Sequence, residues 1–202
     1  MNVLGLAGSP RRNSNTDTLL SEVLKGATAC GAETRMLVIP QLNILACQGC
    51  DICSRTGMCP YGDDMTRILQ DFIWADRIVL AAPLQFMGLP SQTKAMVDRF
   101  QAQWAKKYVL KQPPLGDMKD RQGLFVSVGG RTKENLFDPV LATVRAFFAS
   151  LDIKFAGMVA YPGIEKRAEI LKYPEALKEA FTAGEKLAGC TPVNDKGAEI
   201  FS

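Results

Sequence analysis

Four of the chain's six cysteines fall within thirteen residues, in the run CQGCDICSRTGMC from Cys47 to Cys59. The spacing is C-x2-C-x2-C-x5-C. Thiols crowded in this way close disulfides, grip zinc, hold an iron–sulfur cluster or line a core. Four-cysteine zinc sites usually pair two C-x2-C knuckles set a dozen or more residues apart. Three cysteines at successive three-residue steps, with a fourth shortly after, fit the compact runs that wrap a [4Fe–4S] cube better. Cys47, Cys50, Cys53 and Cys59 would then bind as thiolates, with free or redox-active thiols, zinc and disulfides as the alternatives. The chain has no histidine, so a metal site must use cysteine or carboxylate, and no imidazole serves as a general base. Cys30 and Cys190, far from the run, read as buried small hydrophobes.

Three further stretches could bind a ligand. GSPRRNSNT, residues 8–16, offers the hydroxyls of Ser9, Ser14 and Thr16, the amide of Asn15, the guanidinium of Arg11 and a helix start. Oriented donors, positive charge and the positive end of a helix dipole are what an anion needs. The stretch is neither a Walker loop nor G-x-G-x-x-G, and the plainer reading is a polar turn with Asn15 or Thr16 as helix cap. In residues 82–99, Pro83 and Pro90 stiffen a loop whose tip is Leu84, Gln85, Phe86, Met87 and Gly88. Apolar groups held out at a strand end suit a flat conjugated ring or a subunit interface. Ser127, Val128, Gly129 and Gly130 form the third stretch, where paired glycines let backbone approach a ligand or simply turn.

The elements that must position these loops follow from the hydrophobic pattern. Apolar runs at residues 3–7, 34–39, 77–82, 122–128 and 154–160 read as strands. Helical spacing marks 17–29, 63–74, 91–105, 134–150 and 174–188, and 106–120 reads as an exposed connection. Strands alternating with helices predict an α/β fold, a doubly wound parallel sheet in three αβα layers. Five strands suit the flavodoxin-like order 2-1-3-4-5, whose ligands lie at the carboxyl ends of the strands. One domain is expected over 1–190, with the cysteine loop inserted at 47–59 and a tail at 191–202.

Composition narrows the function classes. The net charge is +3 with both signs dispersed, so the basic footprint of a nucleic-acid binder is missing. No apolar stretch approaches the ~20 residues that span a bilayer. No signal-peptide pattern opens the chain. A cytoplasmic protein is expected, where clustered cysteines do metal or redox chemistry more often than they form disulfides.

The loops together resemble the flavodoxin-like NADPH-dependent FMN reductase family. The resemblance rests on Gly8-Ser9-Pro10-Arg11 with Ser14-Asn15-Thr16, and on Pro83, Pro90, Ser91, Gln92, Lys94, Asp98 and Arg99. It implies that the first loop holds the FMN phosphate through Ser9, Arg11, Ser14, Asn15 and Thr16. Residues 83–88 and 127–130 would enclose the ring. The family often carries an aromatic where this chain has Gln85, so Gln85 would meet a flavin edge by hydrogen bonding instead. The cysteine run ahead of Asp63-Asp64-Met65 resembles the iron–sulfur flavoprotein branch. That branch implies a [4Fe–4S] cluster exchanging electrons with FMN, in a homodimer or homotetramer. The donor would be a small redox protein such as ferredoxin, or NAD(P)H; nucleic acid and membrane are not expected partners. The alternatives are an NAD(P)H-dependent FMN or quinone reductase without a cluster, and a zinc-binding module that is not an enzyme.

Overall fold

The computed structural model describes residues 1–190; the expected tail at 191–202 lies outside the described residues. Five strands form one parallel sheet: β1 (Asn2–Ala7), β2 (Glu33–Val38), β3 (Arg77–Ala81), β4 (Arg121–Gly129) and β5 (Ile153–Pro162), in the order β2-β1-β3-β4-β5. The expected fold and strand order are borne out. In-register pairs such as Leu4↔Ile78 and Ile78↔Gly123 run across the centre.

Successive side chains of a strand point to opposite faces, and the core divides accordingly. Leu4, Leu6, Ile78, Leu80 and Phe125 face one layer of helices, while Val3, Val79, Ala81, Leu124 and Val126 face the other. The first layer holds α3 (Met65–Trp74), α4 (Ser91–Arg99), α5 (Gln101–Tyr108) and α6 (Asp138–Ser150). The second holds α1 (Asn15–Ala29) and α7 (Pro174–Leu187). These two helices cross almost backbone to backbone. A Cβ at Gly184 would lie 1.9 Å from the Val23 carbonyl oxygen, and one at Gly26 would lie 2.0 Å from that of Phe181.

Four expectations are corrected. The helix expected over 91–105 breaks at Phe100 (φ −71°, ψ 5°) into α4 and α5. Phe100 drives into the core against Phe72 and Phe147, at ring-centroid distances of 4.7 and 5.3 Å, while Arg99 turns to a different partner. The helix expected from residue 63 starts at Met65, because Asp63 and Asp64 spend their carboxylates on backbone amides. The connection 106–120 is not wholly exposed: α5 runs into it, and Leu115 is buried. Cys30 and Cys190 are half-buried and joined in a disulfide that ties the end of α1 to the end of α7. The close crossing of those helices brings the two thiols together, which no local pattern announces.

Candidate functional site

The loops after β1, β3 and β4 meet around a cavity of about 230 Å³. Its wall carries Ser9, Arg11, Ser14, Asn15, Thr16, Pro83, Leu84, Gln85, Val128 and Gly130. Chain topology explains the gathering: these loops leave the carboxyl ends of adjacent central strands.

Ser14, not Asn15 or Thr16, caps α1. Its hydroxyl accepts from the Asp17 amide at 3.2 Å, and its own amide donates to Asp17 Oδ2 at 2.9 Å, a reciprocal capping box. Burial pushes the Asp17 carboxyl up, opposed by those bonds to Ser14. Asn15 spends both ends of its amide on the segment after β5, donating to the Lys166 carbonyl (2.8 Å) and accepting from the Ile170 amide (3.1 Å). It anchors that segment to the cavity wall. Through this anchor Ile164, Glu165 and Arg167, which sequence reasoning missed, join the lining. Arg11 donates to the Glu165 carbonyl at 3.4 Å, with its guanidinium at the exposed rim.

Two buried hydroxyls shape the cavity from behind. Thr93 of α4 donates to the Gly8 carbonyl at 2.8 Å, and a Cβ at Gly8 would lie 2.5 Å from the Thr93 hydroxyl. Only glycine lets the loop after β1 come that close to α4. Ser127 donates to the Ala82 carbonyl at 2.8 Å, locking the ends of β3 and β4 together, and does not line the cavity.

Phe86, Met87, Gly88 and Gly129 also stand off the cavity wall. Gln85 and Gly88 exchange backbone bonds of 3.0 and 2.9 Å around a two-residue tip. Phe86 (φ 48°) and Met87 (φ 64°) both take left-handed backbone there, at roughly 1–2 kcal/mol each for an L-residue. The Phe86 ring points into open solvent.

The cysteine run lines a separate cavity of about 440 Å³ that carries Cys47, Cys50, Cys53 and Cys59. Gly49, Asp51 and Gly57 take left-handed backbone and wind the loop around one turn of helix, α2 (Cys53–Thr56). Burial pushes the Cys53 thiol up, and negative charge on Cys47, Cys50 and Cys59 pushes it further. Four thiolates at one wall repel each other and suit a cationic occupant. Among the described residues, no three His, Cys, Asp or Glu side chains are gathered closely enough to hold a metal ion. The donors share a cavity without meeting at a point.

Both ends of this loop are clamped by a buried ion pair absent from the sequence-derived site. Arg99, 2% exposed, pairs with Asp63 through both terminal nitrogens. It also donates to the carbonyls of Leu45 (2.8 Å) and Tyr61 (3.4 Å), one on each side of the cysteines. Asp63 accepts in addition from the amides of Leu45 and Met65, both at 3.0 Å. The Asp63 carboxyl is held below the usual range by these bonds, against the desolvation that opposes them. Two signals pointed here, the Asp63-Asp64 pair and the Asp98-Arg99 pair, but their separation of 36 residues hides the partnership. Because Thr93 and Arg99 are six residues apart on α4, one rigid helix braces both loops, about 9 Å apart along its axis.

A third cavity, of about 610 Å³, lies apart from both, between β5 and α7, with Met158, Lys178 and Glu179 on its wall. Among the described residues no helix is long and apolar enough to cross a membrane.

Comparison with known proteins places this geometry. The model of the NADPH-dependent FMN reductase family matches residues 1–137, which include all four cysteines and the loops after β1, β3 and β4. An iron–sulfur flavoprotein of Methanocaldococcus jannaschii is 37% identical over 99 residues, 49% of this chain and 51% of its own. Another, from Methanosarcina thermophila, is 32% identical over 130 residues, 64% of each chain. A second protein of that name from M. jannaschii is 30% identical over 149 residues, 73% of this chain and 71% of its own. The matches with the first two thus span about half to two thirds of those relatives' lengths. Among solved structures, a flavone reductase superposes with a TM-score of 0.72 at 22% identity, covering 94% of this chain and 62% of its own. An NAD(P)H:quinone oxidoreductase from Methanothermobacter marburgensis gives 0.71 at 17% identity, covering 93% and 96%. These two likenesses bear on the fold. With the family model spanning the loops that form both cavities, the chain belongs to the NADPH-dependent FMN reductase family, and archaeal iron–sulfur flavoproteins are among its relatives.

Proposed function

We propose that this chain is a flavin-dependent oxidoreductase that binds FMN without a covalent bond in the cavity above β1, β3 and β4. In this reading a [4Fe–4S] cluster sits in the cysteine cavity and electrons pass between the two. The observation that carries it is the wall shared by Cys47, Cys50, Cys53 and Cys59 within a chain of this family. The donor chemistry fits, since thiolates are the ligands of such clusters, and a buried donor nitrogen of Arg99 in the cavity wall has no partner of its own.

FMN exchanges two electrons as hydride or passes them singly, whereas a cluster passes one, so the pair links two-electron and one-electron partners. The chain's own part is to bind and orient. Arg11, the hydroxyls of Ser9, Ser14 and Thr16, and the first amides of α1 bind the phosphate. Asn15 holds the far wall in place. Leu84 and Val128 give an apolar surface for the ring, with Gln85 at its edge. Phe86 and Met87, off the wall, act at a subunit contact or close over the ring. Thr93 and Arg99 fix the two loops from the two ends of α4. A small redox protein such as ferredoxin, or NAD(P)H, supplies the electrons, in a cytoplasmic homodimer or homotetramer.

One observation favours a second reading: the thiols do not converge on a point. An NAD(P)H-dependent FMN or quinone reductase with free thiols would show that. A zinc-clamped module that is not an enzyme has no support from the family match. Anaerobic purification followed by a visible spectrum with iron, sulfide and flavin analysis tests the proposal. Flavin absorbance over a broad brown background, with about four irons per chain, is expected. Flavin without iron would leave the second reading.

A further inference from the structure

Arg99 brings an unused hydrogen-bond donor to the cysteine cavity. A guanidinium has five N–H donors in a fixed fork. The terminal nitrogens are spent on Asp63, Leu45 and Tyr61, but Nε is buried and has no partner. Leaving a buried donor unmade is costly, and more so on a charged group. Apolar side chains would fill such a site at lower cost than a charged pair. Arg99 nonetheless stands on the same cavity wall as the four cysteines, with Asp51 and Asp98, while Asp63 is not on that wall. Of the buried pair it is therefore the arginine that reaches the cavity of the thiols.

We propose that Arg99 is a positioning residue for the thiolate-bound centre, donating from Nε to one of its sulfurs and raising its reduction potential through that charge-assisted hydrogen bond. Four thiolates leave such a centre net negative, and gaining an electron makes it more so, so a cation on its wall favours the reduced form. Hydrogen bonds to sulfur and nearby charge are among the levers that set cluster potentials. This inference rests on the reading that residues 47–59 hold an iron–sulfur cluster.

The test uses the full chain, purified without oxygen. Arg99→Lys keeps the charge but loses the fork and Nε. It is expected to retain FMN and to show a lower midpoint potential than wild type in an EPR-monitored redox titration. A cluster-loaded variant with an unmoved midpoint would overturn the proposal. Because Arg99 also clamps the loop, the variant can fail to fold or to take iron, so wild-type protein gives a second, deciding measurement. With arginine labelled by 15N at Nε, pulsed EPR of the reduced protein is expected to show a 15N hyperfine coupling. Its absence overturns the proposal. Wild-type protein that carries FMN but no iron sinks the cluster reading and this inference with it; iron present with either the shift or the coupling missing sinks this inference alone.

Discussion

The four thiols of the cysteine loop are not equivalent. Cys47 and Cys50 are exposed, while Cys53 and Cys59 are partly covered, with Cys53 opening α2 and Cys59 sharing a cavity wall with Arg99. Cys50→Ala is expected to abolish iron content and leave FMN content unchanged, since Cys50 borders the second cavity and not the first. Colorimetric iron assay beside flavin absorbance checks this, and full retention of iron would remove Cys50 from the ligand set. At the other cavity, Arg11 is the guanidinium the loop after β1 brings to the rim. If Arg11 binds the phosphate as proposed, Arg11→Ala removes a charge-assisted contact worth about 1–3 kcal/mol. The FMN Kd should then rise roughly 5- to 150-fold, read by flavin fluorescence quenching; an unchanged Kd would take Arg11 out of the site. At this scale the sequence was informative about residue type and silent about allegiance. Asn15 had the right chemistry for an anion, yet its amide is committed to Lys166 and Ile170, whose segment lies over 150 residues away.

Elements set how firmly those residues are held. The α1–α7 crossing depends on two absent side chains, because a Cβ at Gly184 would meet the Val23 carbonyl oxygen at 1.9 Å. Gly184→Ala would gain helix propensity, about 1 kcal/mol, but must push the helices apart, with overpacking costs of about 1–3 kcal/mol or more. A net fall in Tm of several degrees is expected by differential scanning calorimetry. Gly62→Ala, which meets nothing within 4 Å, serves as the control. The start of β4 is held by Arg121, fully buried, which donates to the Ala75 and Ile73 carbonyls and pairs with Asp117. The bond to Arg121 holds the Asp117 carboxyl below its ordinary range. A carboxyl so depressed supports the fold above its unfolded value, near 4, and that support is lost as pH falls through the folded value. Urea midpoints should therefore drop below about pH 4, and Asp117→Asn should flatten that part of the profile while lowering the midpoint at neutral pH. A profile unaltered by the substitution would show the pair to be idle. Strands and most helices were legible in the sequence because a 2.0 or 3.6 period is a local property. The break at Phe100 was not, because it answers to Phe72 and Phe147 across the core.

At the scale of the whole molecule, five strands with crossovers suited the observed sheet order without fixing it, and nothing in the sequence announced the covalent tie. Which two of six cysteines pair across a separation of 160 residues depends on how α1 and α7 cross. Cross-linking so long a loop restricts the unfolded chain by about 5 kcal/mol at most in the chain-entropy model. Reduction, or Cys30→Ser, is expected to lower the denaturation midpoint while leaving FMN and iron content intact under native conditions. Equal midpoints with and without reductant would show that the bond contributes nothing. The same bond has a topological consequence. It closes residues 30–190 into a ring, and β1 with α1 is a free arm outside it, although β1 sits between β2 and β3 in the sheet. The arm carries the anion loop; the ring carries the four clustered cysteines and Arg99. The first cavity is thus built across that division, Ser9 to Thr16 from the arm and Leu84, Gln85 and Val128 from the ring, whereas the cysteine cavity lies wholly within the ring.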